Sequence, residues 1–263
     1  MSFFEDLTLV YNKAIKKTLK NIKNNPVILL GPIFYGALYQ IAINIFSIFI
    51  APTLGVLSGF LLPIVSSMIL SSYFSMLSDV IYYNRISFNN FTRSFTDYFS
   101  SIYSVYFILI IISWITPMLG NLPVAHLFIS VILVVLFNPI AEEIYIGGNT
   151  YTQAYSKCVE FLKENAFLWM LPFILYLLIT QVMGFSIAQG LMMSNVIDIP
   201  LGNFQMSPLM GTSNIKAIIA LLLTGVYAIF RGNLFTILNN STRRKRAYMG
   251  EYYDDWRKTR KRN

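Results

Sequence analysis

Long uninterrupted apolar runs constrain this chain more than any motif in it. Several exceed the roughly 18 residues that mark a membrane-spanning helix. Read against flanking charge, they predict six spans: Val27–Ile50, Val56–Tyr82, Ile102–Leu119, Leu122–Ile144, Ala166–Ser194 and Ile215–Leu238. Backbone amides inside lipid must pair within their own segment, so spans of this length are helices. A transmembrane barrel would need shorter, alternating segments, and the sequence has none. Only 12% of the 263 residues are charged, against about 25% in a soluble domain. That deficit excludes a soluble globular protein and a disordered chain, and the single cysteine, Cys158, excludes a disulfide scaffold. The expectation is an all-α polytopic membrane helix bundle forming one transmembrane domain over 1–263.

Lysine and arginine set its orientation. Lys13, Lys16, Lys17, Lys20 and Lys23 precede the first span, and Arg85 and Arg93 follow the second. Lys157 and Lys163 lie between the fourth and fifth, and nine more basic residues follow the sixth, starting at Arg243. The opposite side holds Lys216 alone. Positive charge stays on the cytoplasmic side, so both termini are expected there. The first span does not read as a cleaved signal: it is too long, it follows 26 residues that contain Glu5 and Asp6, and no small-residue cleavage site follows cleanly.

Residues 2–24 read as an amphipathic helix. Ser2 and Glu5 have capping-box spacing. Phe3, Leu7, Val10, Tyr11, Ala14, Ile15, Leu19 and Ile22 form one face and the lysines the other. Such a helix lies in the inner leaflet with its lysines at anionic headgroups, or packs as a soluble helix on a partner. Phe88–Phe99 and Thr150–Leu162 repeat the pattern before the third and fifth spans, which suggests three tandem hairpin units. Asn25-Pro26 with Pro32, and Asn165-Ala166 with Pro172, support that repeat, as does the match of Asp79-Val80-Ile81-Tyr82 to Glu142-Glu143-Ile144-Tyr145.

Charge at membrane depth invites a functional reading. Arg231 falls about seven residues, or roughly 10 Å of helix rise, inside the end of the sixth span. Asp79, Glu142 and Glu143 stand at the same level on the second and fourth. The four form a candidate inner-leaflet charge cluster, either a substrate or proton site or a structural ion pair, with Arg231 snorkelling to the interface or locking the bundle. Glu142 or Glu143, ahead of Asp79, is the expected partner of Arg231. Ser67, Ser71, Ser75 and Ser78 form a stripe on the second span, read as close helix packing or as a hydrated path.

Catalytic chemistry finds little support. Glu142-Glu143 resembles the paired glutamates of membrane-embedded CAAX-type proteases, but Ile144–Gly148 lacks the arginine that follows there, and His126 is the only histidine. A catalytic metal normally takes three protein ligands, so no metal and no other cofactor is expected. No HExxH, GxSxG, Walker or GxGxxG pattern occurs. The 239–263 tail combines Arg243, Arg244, Lys245, Arg246 and later basic residues with Tyr248, Tyr252, Tyr253 and Trp256. Basic and aromatic residues together also suit RNA. Directly after a span, they suit anionic lipid better, so no nucleic-acid partner is expected.

Three stretches carry a resemblance: Phe137-Asn138-Pro139-Ile140-Ala141-Glu142-Glu143-Ile144-Tyr145, Phe230-Arg231-Gly232-Asn233-Leu234-Phe235 and Ser241-Thr242-Arg243-Arg244-Lys245-Arg246. Together they resemble uncharacterised six-span membrane proteins of low-GC Gram-positive bacteria. This implies a bacterial plasma membrane and groups Glu142 with Arg231. The span count, N-terminal helix and a segment at Asn195–Asn214 are also similar to the membrane subunits of ABC-2-type exporters, although a three-unit repeat departs from that pattern. The functional expectation is a non-enzymatic protein that handles an amphiphile, lipid or membrane partner at the cytoplasmic leaflet. The alternatives are an exporter permease working with a cytoplasmic ATPase and, third, a membrane-embedded enzyme.

Overall fold

A computed structural model describes residues 3–55, 58–87, 91–115, 135–183 and 214–241, and every regular element among them is helical. The long N-terminal helix α1 (Phe3–Asn24) passes through a 3-10 turn (Pro26–Leu30) into α2 (Gly31–Ile45). A π-helical turn (Phe46–Ile50) and α3 (Ala51–Leu54) continue it. Then come α4 (Ser58–Tyr83), α5 (Phe91–Asp97), α6 (Phe99–Ile115), α7 (Ile140–Tyr145), α8 (Tyr151–Val182) and α9 (Asn214–Asn239).

Among the described residues, four stretches are long and apolar enough to cross a membrane: Pro26–Leu54, Ser58–Tyr83, Tyr151–Val182 and Ile218–Asn239. They correspond to the first, second, fifth and sixth expected spans. Helix α6 covers the start of the third, and α7 holds the end of the fourth. The remainder of those two spans lies outside the described residues, as do His126, residues 195–213 and the basic tail from Arg243 onward.

Sequence explains where the chain turns. Pro26 has no amide hydrogen and disfavours helix at the residue before it, so α1 ends at Asn24 and a new axis starts. Gly55 closes the α3 end with φ +52°, a conformation open to glycine at no steric cost. Asn84, after α4, takes the same left-handed region, which asparagine tolerates. Asn25 and Asn165, the paired positions of the expected repeat, each donate a side-chain hydrogen bond to the carbonyl four residues back. They then diverge: Pro26 breaks the first helix, whereas Ala166 lets α8 run on unbroken.

Helix α4 stands in the core. Leu70, Tyr73, Phe74, Leu77, Val80 and Ile81 are buried along it, and α5 crosses its serine stripe. Ser71 donates to the Ser94 carbonyl (2.8 Å) and accepts from the Tyr98 amide (2.8 Å). Ser72 pairs with the Ser94 hydroxyl (2.7 Å), and Ser75 donates to Asp97 (3.0 Å). Most of the stripe therefore serves packing of protein on protein; Ser67 is buried with no partner among the described residues.

Helix α9 packs closely against its neighbours. A Cβ at Gly225 would stand 3.1 Å from the Leu29 carbonyl oxygen, and one at Gly232 would collide with Cδ1 of Ile81 and lie 2.8 Å from the Tyr145 hydroxyl. Small residues permit this approach in a membrane bundle. Gly232→Ala should lower stability by about 1–3 kcal/mol through overpacking, read as thermal unfolding in detergent. Ile81→Val in the same chain removes the colliding methyl and should recover part of the loss; no recovery would place the strain elsewhere.

Candidate functional site

The region around Arg231 is built from a helix break. Helical residues 135–136 give way to a turn at Phe137-Asn138-Pro139, and α7 begins at Ile140. Proline cannot donate a hydrogen bond, so the chain turns here and leaves Asn138 with two acceptors facing inward. Its backbone carbonyl accepts from Arg231 Nη2 (2.6 Å), and its side-chain oxygen accepts from Trp169 Nε1 (2.9 Å).

One turn later Glu142 meets the same guanidinium. Arg231 Nε donates to Oε1 (2.9 Å) and Nη2 to Oε2 (2.9 Å), a bidentate pairing that fits the planar donor fork. Arg231 is 2% exposed and Glu142 4%. The arginine carbon sits 4.9 Å from the Trp169 ring centroid and 5.6 Å from that of Tyr227, within range of cation–π attraction. Arg231 therefore does not snorkel to the end of the bundle. It is enclosed by α7, α8 and its own helix.

The other two carboxylates stand apart from it. Glu143 is buried on the next position of α7, where Asn149 Nδ2 donates to it (2.7 Å) and the Asn149 amide bonds its carbonyl (2.9 Å). It organises the tight turn at Gly147-Gly148. A Cβ at Gly147 would fall 2.7 Å from both the carbonyl and a carboxylate oxygen of Glu143. Asp79, half-buried on α4, lines a small separate cleft with Tyr35, Ser72, Ser75, Ser87 and Ser94. Thus the expected four-residue cluster divides into one tight pair and two separate carboxylates. Among the described residues no three histidine, cysteine or acidic side chains could share a metal ion.

A second polar centre was not apparent in the residue pattern. Asn233, just beyond Arg231, donates to Thr18 (3.2 Å) and Asn21 (2.9 Å) of α1. Asn21 donates to the Val80 carbonyl (2.6 Å) and to Asn84 (3.0 Å), and Asn25 donates to the Asn84 carbonyl (2.9 Å). This seam joins α1 to the ends of α4 and α9. It also brings those ends together at one end of the bundle.

The seam divides α1 into three faces rather than two. Asp6, Val10, Ala14, Thr18 and Asn21 are buried against protein. Beside them Phe4, Ile15 and Leu19 are exposed, at 76%, 46% and 61%. Next around the helix come Lys13, Lys16, Lys20 and Lys23, all exposed, with Lys17 half-buried. The apolar residues expected to share one face thus separate: Val10 and Ala14 enter the core with Phe161, Leu162, Leu234 and Phe235, while Ile15 and Leu19 face outward. Tyr11, between these faces, donates to the Leu168 carbonyl (2.8 Å), and burial pushes its hydroxyl up to about 12, so it stays a neutral donor. Cys158 is buried and unbridged.

Comparison with protein-family models, with curated proteins and with solved structures finds no match to this chain.

A buried ion pair that loses one member leaves a bare charge, at a cost of about 3–5 kcal/mol. Glu142→Gln should therefore lower the unfolding midpoint in detergent far more than Glu143→Gln, which keeps a hydrogen-bonding group beside Asn149. Equal effects would mean that the Arg231 contact contributes little.

Proposed function

We propose that this is a multi-pass protein of the bacterial plasma membrane that engages lipid or another amphiphile at the cytoplasmic leaflet and does no covalent chemistry there. In this reading six spans cross the bilayer, in hairpins entered from interfacial helices, and both ends of the chain face the cytoplasm.

The observation that carries the proposal is the three-faced α1. A helix with an exposed apolar strip beside an exposed row of lysines suits the boundary between acyl chains and anionic headgroups. Its third face is hydrogen-bonded to α4 and α9 through Asn21 and Thr18. The lipid-facing strip is thus joined to the bundle that holds Arg231, so lipid contact and helix packing act on one body. Arg231 and Glu142 support a structural part for the charged centre, since each satisfies the other. Arg243, Arg244, Lys245 and Arg246 would add headgroup contacts on the same side.

The test uses the full chain in nanodiscs of mixed anionic and zwitterionic lipid, extracted in mild detergent and assayed for retained lipid. Each lysine near an anionic surface contributes about 1 kcal/mol. Lys13, Lys16, Lys20 and Lys23 changed together to Gln should cut anionic-lipid enrichment by roughly tenfold or more, and added salt should weaken the wild-type enrichment through screening. Enrichment that ignores both charge and salt would contradict the proposal. So would stoichiometric recovery of a soluble ATPase with no retained lipid.

A further inference from the structure

The first membrane-length stretch is well packed at one end and largely exposed at the other. Ile28, Gly31, Pro32, Tyr35 and Gly36 are buried. Tyr35 packs on Tyr73, with ring centroids 5.4 Å apart, and its hydroxyl pairs with Ser72 (2.9 Å). Beyond Tyr39 one side still packs inward, through Ala42 and Phe46, while the rest of the helix is bare: Ile41, Ile45, Ile48 and Phe49 are 46%, 52%, 65% and 69% exposed.

Two amides lie on this bare part. Gln40 stands midway between Pro26 and Leu54, at the centre of the span. Asn44 follows one turn later, and Gln40 Nε2 donates to Asn44 Oδ1 (3.1 Å) in an exposed hydrogen bond. That bond uses one donor and one acceptor. Each carboxamide offers two N–H groups and a carbonyl with two lone pairs, so further donors and acceptors remain on both residues. Polar groups at the bilayer centre are costly unless they meet other polar groups. Among the described residues, the bundle packs on the opposite face and at the other end of this helix.

Spacing identifies the occupant. Ala37, Gln40, Asn44 and Ser47 follow one another at intervals of three, four and three, the seam of a left-handed helix pair. Small and hydrogen-bonding residues are what membrane helix interfaces use. Carboxamides both donate and accept, so Gln40 and Asn44 are complementary to a two-fold copy of themselves, as an isologous dimer requires. The last of these residues, Ser47, lies in a π-helical turn, Phe46–Ile50, and such turns inside helices are frequent at functional sites. We infer that the Ala37–Ser47 face of α2 is a homodimer interface, in which Gln40 and Asn44 of two copies of this chain hydrogen-bond across the bilayer centre.

The experiment counts copies of the labelled full-length chain in lipid vesicles by single-molecule photobleaching, at a series of protein-to-lipid ratios. Wild type should be dimeric, and Gln40→Leu with Asn44→Leu should raise the dissociation constant roughly tenfold to a hundredfold. The double variant should unfold in detergent at the wild-type temperature or above it, because the replaced side chains face outward; this separates lost association from lost fold. Separately, Ser47→Cys should give a disulfide-linked dimer of this chain on mild oxidation, since Cys158 is buried. A monomeric wild type at all ratios would overturn the inference. Unchanged dimerisation of the double variant, or cross-linking of Ser47→Cys solely to a different protein, would overturn it equally.

Discussion

The bidentate contact between Arg231 and Glu142 is the constraint on which the rest of this bundle depends. A full charge enclosed at 2% exposure is costly, and the attraction offsets that cost only with near-ideal geometry and with the remaining donors satisfied. Both conditions hold here because separate segments converge. The α7 turn provides Glu142 and the Asn138 carbonyl, α8 provides Trp169, and α9 provides Arg231 and Tyr227. Displacing any one of these helices strips a buried charge of its partner or leaves a polar group unpaired. The pair therefore fixes helix position more than it adds net stability.

Packing around the pair follows the same logic. Gly232, directly after Arg231, lets α9 approach α4 and the Tyr145 hydroxyl, and Asn233 reaches α1 on the next position. Three consecutive residues thus face three different neighbours. Trp169 both covers the guanidinium and donates to Asn138, so it joins the ion pair to the aromatic cluster of Phe161 and Phe235. From there Val10 and Ala14 bring in α1. The lysine row on α1 is held at one end of the bundle by this chain of contacts.

Hydropathy made the all-helical architecture and its membrane-length apolar helices legible, because apolar runs of this length have few other outcomes in lipid or water. Charge placement was also informative: Arg231 and Glu142 were conspicuous as ionisable residues within apolar sequence. The pattern ranked the two glutamates ahead of Asp79 but could not say which of them meets Arg231. Glu142 and Glu143 are adjacent in sequence, and the turn at Asn138-Pro139 fixes the rotation of α7 that presents Glu142 to Arg231 and Glu143 to Asn149. Neutral amides were harder still. Asn21, Asn25, Asn84 and Asn233 each resemble an ordinary polar residue near a helix end, and they become a seam only when three distant segments meet. The same holds for α1, where an apparent single apolar face conceals a division between Ala14, which packs on protein, and Ile15, which does not.

A double-mutant cycle on Arg231 and Glu142 tests the central claim most directly, with unfolding of the purified protein in detergent as the readout. Arg231→Met and Glu142→Leu should each be strongly destabilising, while the chain carrying both should lose much less than their sum, because no bare charge remains buried. Additive losses, with the double variant as unstable as the two singles combined, would show that the pair does not organise the bundle.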